Sequence, residues 1–223
     1  TLLGEGAGEF FDVGQYHYYG PTDEDLVDRL TSAQSRYAGL LGSHGLDRPI
    51  WVTETSTSSF PTSGLSGRSS KKRQACDVVR RFVVFTAHGA QRVFWLSFKY
   101  EVEHMGDTFG GCDLFDDDME PKPSWHAMQL VVDKIGHFQE VETILESDVN
   151  LYRYGVTPGE DVYVVWARDE GQDEYDLTAY GLFEGQVDIT PVGDDVVGTD
   201  LSKLQLSYCP VFIEPTYDDA WLE

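Results

Sequence analysis

Pro49-Ile50-Trp51-Val52-Thr53-Glu54 decides how this chain is read. The run is short, apolar and ends on a carboxylate. A Glu directly after a buried strand is costly unless neighbours hydrogen-bond it. Helix-like stretches lie on both sides. Upstream, Thr22 with Asp25 gives a helix-start signal, and Leu26, Leu30, Ala33, Tyr37, Leu40 and Leu41 follow at helical spacing. Gly42 and Gly45 close that run. Downstream, a Ser/Thr/Gly-rich loop covers about residues 55–70, long enough to be functional or mobile. Ala75, Val78, Val79, Phe82 and Val83 then stand at i, i+3, i+4, i+7 and i+8, an amphipathic helix ending near Gly89.

Farther out the same alternation continues. Phe10 to Tyr19 is rich in aromatics and reads as a strand, and Arg92 to Phe98 as another. A polar loop runs to Pro123, where Ser124 is read as the cap of a helix with Met128, Val131, Val132 and Ile135 on one face. Strand–helix units in this order imply an α/β fold with parallel strands and right-handed crossovers. Three such units do not close an eight-stranded barrel. After Gly136 the period changes. Leu151-Tyr152, Val162 to Ala167, Tyr175 to Tyr180, Gln186 to Ile189, Leu204 to Leu206 and Pro210 to Ile213 are short β-like runs separated by turn residues such as Pro158-Gly159 and Gly193-Asp194. The expected division is a partial barrel over residues 1–136 and an antiparallel β domain over residues 137–223.

Composition bounds the partners. Of 223 residues 41% are apolar, enough for a core, and 12 Tyr, 12 Phe and 5 Trp suit both buried cores and sugar faces. Against 39 Asp+Glu stand 16 Lys+Arg, a net charge of −23, and only six of the basic residues are Lys. Such a surface repels phosphate backbones and anionic bilayers, which argues against nucleic acid and membrane partners. The acidic residues are spread along the chain, a pattern that fits a high-salt environment, where screening relieves self-repulsion. Cys76, Cys112 and Cys209 are odd in number and widely spaced, fitting neither a disulfide framework nor a zinc pattern. No apolar run is long enough to span a bilayer as a helix. The chain starts at Thr1 without Met and without a signal peptide, so secreted and cytoplasmic locations both stay open.

In parallel barrels functional residues cluster at the C-terminal strand ends. Here those ends carry His17 and Tyr19, then Glu54, then Trp95 with Ser97, Lys99 and Glu101 beyond. His17 and Tyr19 are two residues apart and point the same way, so both can reach a carboxylate on the next strand and keep it ionised and oriented. Tyr16 and Tyr18 face the helices by alternation. Trp95 offers an apolar floor for a sugar ring. This combination suits a glycosyl nucleophile. The acidic loop Asp113, Asp116, Asp117, Asp118 and Glu120 has no EF-hand spacing and reads as solvated. His104, Asp107 and Cys112 lack zinc spacing, so no metal is expected. No Gly-x-Ser-x-Gly elbow and no phosphate-binding glycine loop appear.

The segments FFDVGQYHYYG, LDRPIWVTETSTS, RVFWLSF and DLFDDDMEPKPSWHAMQLV, in this order and spacing, resemble the last three βα units of the clan A retaining glycoside hydrolases, cellulase-like and xylosidase-like barrels. The resemblance covers roughly residues 9–136. It implies the C-terminal portion of a (β/α)8 TIM barrel, about strands 6–8, followed by a small antiparallel β-sandwich domain packed on the barrel. It implies Glu54 as nucleophile, His17 and Tyr19 as its supporters, Trp95 as sugar platform, and Pro121, Lys122 and Pro123 opening the last helix. Lys99 and Glu101, just beyond the third strand end, are read as substrate-binding residues. No cofactor is implied.

One departure is large. The family also uses an acid/base Glu, usually in an Asn-Glu pair after the fourth strand, and no such pair precedes Phe10. Retaining hydrolysis needs two carboxylates about 5–5.5 Å apart. Glu5 and Glu9 precede the sixth strand, at its wrong end. The expectation is therefore a glycosidase whose acid/base lies in an N-terminal half absent from these residues, the 223-residue chain alone being inactive. The open barrel edge would be covered by that half-barrel, by the β domain or by a second copy. The alternative is a non-catalytic carbohydrate-binding or structural module derived from such a hydrolase.

Overall fold

Three strands, β1 (Gly14–Tyr18), β2 (Ile50–Thr55) and β3 (Ala90–Trp95), lie side by side in chain order, and each adjacent pair is parallel. The computed structural model describes residues 2–20, 24–60, 69–99, 109, 111–157, 160–169, 171, 173–183, 186–193 and 197–216. The chain divides into two units, Thr1–Ser124 and Trp125–Glu223. In the first, α1 (Leu26–Ser43) joins β1 to β2, and α2 (Lys71–Ala87) joins β2 to β3. A third helix, α3 (Pro123–Ile135), starts where the first unit ends. Adjacent parallel strands in chain order with helical connections are repeated βα units.

The core of this unit is built as its periodicity dictates. Ile50 and Val52 of β2, Leu26, Leu30 and Leu41 of α1, and Val78, Val79 and Phe85 of α2 are all buried. The end of α1 follows from Gly45. Its φ of +70° lets Gly45 N–H reach Gly42 O and Leu46 N–H reach Leu41 O, a Schellman closure. Ser70 caps α2 by accepting from Arg73 N–H at 3.0 Å.

Several local expectations are corrected. Phe10 does not begin a strand: Ala7–Phe10 is a 3₁₀ turn, Phe10 is 87% exposed, and β1 starts at Gly14. A Cβ at Gly14 would stand 2.7 Å from Leu41 Cδ1, so the strand enters where the absence of a side chain lets it pass close to α1. Thr22 lies outside the described residues, and Asp25 is the N-cap of α1, its carboxylate 3.3 Å from Arg29. Ser124 does not cap α3. Pro123 opens that helix, and Ser124 Oγ donates to Gln74 Oε1 at 2.9 Å instead.

The second unit is antiparallel. Strands β4 (Glu140–Glu146), β5 (Val149–Thr157), β6 (Glu160–Ala167), β8 (Gln186–Pro191) and β10 (Val211–Thr216) form one sheet in the order β4-β5-β6-β10-β8. Strands β7 (Asp173–Tyr175) and β9 (Leu204–Leu206) form a separate pair. Leu151, Val165, Leu177, Leu204, Leu206, Val211 and Ile213 share a buried cluster that joins the large sheet to the small pair. Tyr152, Tyr154, Val164 and Trp166 are fully buried too, with the rings of Tyr152 and Trp166 stacked at 5.2 Å. β4 is absent from the sequence reading because its glutamates break the apolar pattern. Arg153 on β5 meets two of them, Glu140 at 3.0 Å and Glu142 at 3.1 Å. The run Tyr175 to Tyr180 is also not one strand. Asp176 Oδ1 accepts from Thr178 N–H at 2.9 Å, and Thr178–Tyr180 turns into a 3₁₀ segment. Among the described residues no helix is long and apolar enough to cross a membrane.

Candidate active site

The site begins with an irregularity in β2. Tyr16 faces Val52 across the β1–β2 ladder, yet the next residue, His17, faces Glu54. On the other side Val52 faces Val93 and Thr55 faces Trp95. Relative to both neighbours, β2 therefore carries one extra residue between Val52 and Thr55. The consequence is seen in the side chains. Thr53 Oγ1 donates to Gln15 Oε1 at 2.5 Å, and Glu54 meets His17, so two consecutive residues of β2 engage the same side of β1. Strict alternation would send one of them to the helices.

Glu54 is held at one oxygen. The Tyr19 hydroxyl donates to Glu54 Oε2, and His17 Nδ1 lies 3.1 Å from that same atom. Among the described residues Oε1 has no hydrogen-bond partner, and the Glu54 side chain is 35% exposed. The three residues that the sequence singled out as nucleophile and supporters are thus in contact. Tyr16 and Tyr18 point the other way, as alternation requires. Tyr16 donates to Gln34 Oε1 on α1 at 2.7 Å, and both tyrosine rings meet Phe85 on α2 edge-on.

The remaining candidates sit apart from the carboxylate in their contacts. Trp95 donates its indole N–H to Cys112 O at 2.9 Å, which fixes the ring to the loop after β3. Lys99 donates to Asp116 O at 2.9 Å and to Asp117 Oδ1 at 3.0 Å, so its ammonium is engaged by the acidic turn. That bond holds the Asp117 carboxyl below the usual carboxylate range. Asp116 in turn accepts from the backbone N–H groups of Asp118 and Glu120, which makes the run 113–120 an internally bonded turn. Glu101, His104 and Asp107 lie outside the described residues. Among the described residues no three His, Cys, Asp or Glu side chains are grouped to hold a metal.

Beneath the site is a layer that sequence reasoning did not foresee. Residues 55–59, read as the start of a loop, are buried throughout. Gln74 Nε2 reaches Thr57 O, Gly111 O and Asp113 O at 2.9, 2.8 and 3.3 Å. Lys122 Nζ donates to Asp113 O at 2.9 Å and to Ser59 Oγ at 3.3 Å, and burial pushes its pKa down. Arg81 spans Gly20, Thr55 and Thr57. The Phe109 ring lies 5.0 Å from that of Tyr19. A signal did exist: Gln74 and Arg81 fall on the same stripe of α2 as Val78 and Phe85, at i, i+7, i+4 and i+11, so two polar residues lie on the face that packs inward.

No family model matches the chain, and no curated protein matches it. Solved structures do. A family 39 glycoside hydrolase from the gut symbiont Bacteroides cellulosilyticus WH2 superposes with a TM-score of 0.71 at 20% identity, over 96% of this chain and 46% of that one. The GH51 arabinofuranosidase from Xanthomonas axonopodis pv. citri gives 0.61 at 12% identity, covering 96% and 55%. An alpha-L-arabinofuranosidase from Thermotoga maritima, in complex with arabinose, gives 0.60 at 14%, covering 93% and 53%. The chain shares the fold of these glycoside hydrolases and spans about half of their length.

Proposed function

We propose that this chain carries the nucleophile half of a retaining glycosidase that acts on β-linked glycosides. The observation that supports this is the single-sided grip on Glu54. With Oε2 taken by Tyr19 and His17, Oε1 remains for attack on an anomeric carbon. The hydroxyl hydrogen bond, with the imidazole beside the same oxygen, orients the carboxylate, which is what a nucleophile needs before substrate arrives. Attack expels the leaving alcohol and gives a glycosyl-enzyme ester at Glu54. A second carboxylate protonates that leaving oxygen and later activates the water that releases the sugar. We assign this role to a carboxylate of an N-terminal half-barrel that completes the sheet. Trp95 serves as a wall of the sugar site. The β unit is read as a sandwich accompanying the barrel. The reaction as drawn uses only these side chains and water.

The test is trapping with 2-deoxy-2-fluoro glycosides on the full-length protein, followed by peptide mapping. The panel includes arabinofuranosides, because two of the similar structures bear that name. The label is expected on Glu54. A stable label on another residue refutes the assignment, and full-length protein that neither hydrolyses nor traps any glycoside refutes the enzymatic reading.

A further inference from the structure

Arg81 is fully buried on α2, and its guanidinium binds only neutral oxygens among the described residues. Nε donates to Thr57 Oγ1 at 3.2 Å, one terminal nitrogen to Thr55 Oγ1 at 2.9 Å, and the other to Gly20 O at 2.8 Å. These acceptors are not scattered. Gly20 follows Tyr19, and Thr55 follows Glu54. One rigid, planar group therefore bridges the C-terminal ends of β1 and β2, one residue beyond each partner of the Tyr19–Glu54 hydrogen bond.

Burying a cation without a carboxylate in its hydrogen bonds is expensive, and such an arrangement persists where it fixes something else. Burial holds the Arg81 pKa below the ordinary guanidinium range, with the Asp77 carboxylate one turn earlier opposing that shift. Gly20 shows how close the fit is: a Cβ there would stand 2.3 Å from the Tyr18 hydroxyl oxygen.

We infer that Arg81 is a positioning residue, whose fork sets the spacing of the two strand ends and thereby the alignment of Tyr19 on Glu54. This rests on the reading of Glu54 as nucleophile, and it adds a residue that touches neither substrate nor the carboxylate. A lysine offers one point charge at the end of a flexible stem and does not span three diverging acceptors. Thr55→Val removes one acceptor and leaves the guanidinium in place.

The experiment compares Arg81→Lys and Thr55→Val with the wild type in the full-length protein, using aryl glycosides, together with crystal structures of all three. For Arg81→Lys kcat is expected to fall about 10- to 100-fold with KM within about threefold, since ground-state sugar contacts are untouched. Thr55→Val is expected to lose less than Arg81→Lys. In the Arg81→Lys crystal the Tyr19 hydroxyl is displaced from Glu54 Oε2, while α1 and the second unit superpose on the wild type. An unchanged kcat, or a Tyr19–Glu54 bond preserved in that crystal, overturns the inference. A loss of kcat that comes with an equal rise in KM and general unfolding overturns it as well, marking a purely structural arginine. If the wild type hydrolyses no glycoside, the glycosidase reading fails, and the crystal structures alone decide whether Arg81 sets the Tyr19–Glu54 alignment.

Discussion

The Nδ1 of His17 lies 3.1 Å from Oε2 of Glu54, the atom that also accepts the Tyr19 hydroxyl. One donated hydrogen bond and one imidazole nitrogen meet at this oxygen, while Oε1 has no hydrogen-bond partner among the described residues. For Tyr19→Phe in the full-length protein, this geometry predicts a fall in kcat of roughly 10- to 100-fold, the worth of about 1.5–3 kcal/mol for a hydrogen bond to a charged group. Glu54→Gln abolishes turnover, and the purified 223-residue chain alone shows none. Steady-state kinetics on aryl glycosides check all three. A Tyr19→Phe enzyme as fast as the wild type removes Tyr19 from the mechanism.

The opposite side of β1 predicts an alkaline limit. Tyr16 donates to Gln34 on α1, and burial pushes its phenol well above the ordinary tyrosine range, with Tyr18 and Tyr37 adding to the shift. The folded pKa is raised, so the contribution is fully present below the unfolded value. It is lost as pH rises past about 10, where unfolded tyrosine ionises and folded Tyr16 does not. Urea unfolding between pH 8 and 11 should show stability falling above about pH 10. Tyr16→Phe should cost about 1 kcal/mol at pH 7 and flatten that decline. An identical slope in the variant assigns the decline to other tyrosines.

What the sequence revealed and what it hid divide along physical lines. Alternation along Gln15-Tyr16-His17-Tyr18 fixed which aromatics turn to the helices, and the helical stripes of α1 and α2 were plain in their apolar residues. The spacing of His17 and Tyr19, together with the resemblance, pointed both at Glu54. The bulge at Thr53-Glu54 is not legible in the sequence, because a register shift is a property of two paired strands and not of either strand alone. The burial of residues 55–59 was hidden for a related reason. Ser and Thr side chains read as loop until Gln74, Arg81 and Lys122, from distant parts of the chain, supply their partners. β4 was hidden by its own glutamates.

Cys112 offers a check on the loop that anchors Trp95. Its thiol is free and buried, and burial raises its pKa above the ordinary thiol range. Alkylating reagents attack the thiolate, so at pH 7.5 Cys112 should react orders of magnitude more slowly than a small free thiol. Reaction should become rapid in denaturant. Mass spectrometry after timed iodoacetamide pulses measures this. Fast modification of Cys112 under native conditions would mean that the loop after β3 opens readily, and that the Trp95 anchor to Cys112 O is transient.

The last prediction concerns Gln74. From one side chain it holds the backbone of both loops that follow β2 and β3, and it accepts from Ser124 where α3 begins. Gln74→Ala leaves three carbonyls and a hydroxyl short of a partner in a buried layer. That should cost roughly 2–5 kcal/mol, measured by urea unfolding at pH 7. Gln74→Glu separates the hydrogen bonds from the packing, since it keeps the volume and replaces the donor with a group that ionises. Facing three carbonyl oxygens, a buried glutamate has its folded pKa raised above the unfolded value of about 4.3, so its penalty grows as pH climbs through that value. Near pH 4.5 the protonated side chain can still donate once, and the variant should lie closer to wild type than it does at pH 7. A Gln74→Glu protein equally stable relative to wild type at both pH values would show that the donor bonds to Thr57, Gly111 and Asp113 contribute little, and that packing alone holds the floor under Glu54.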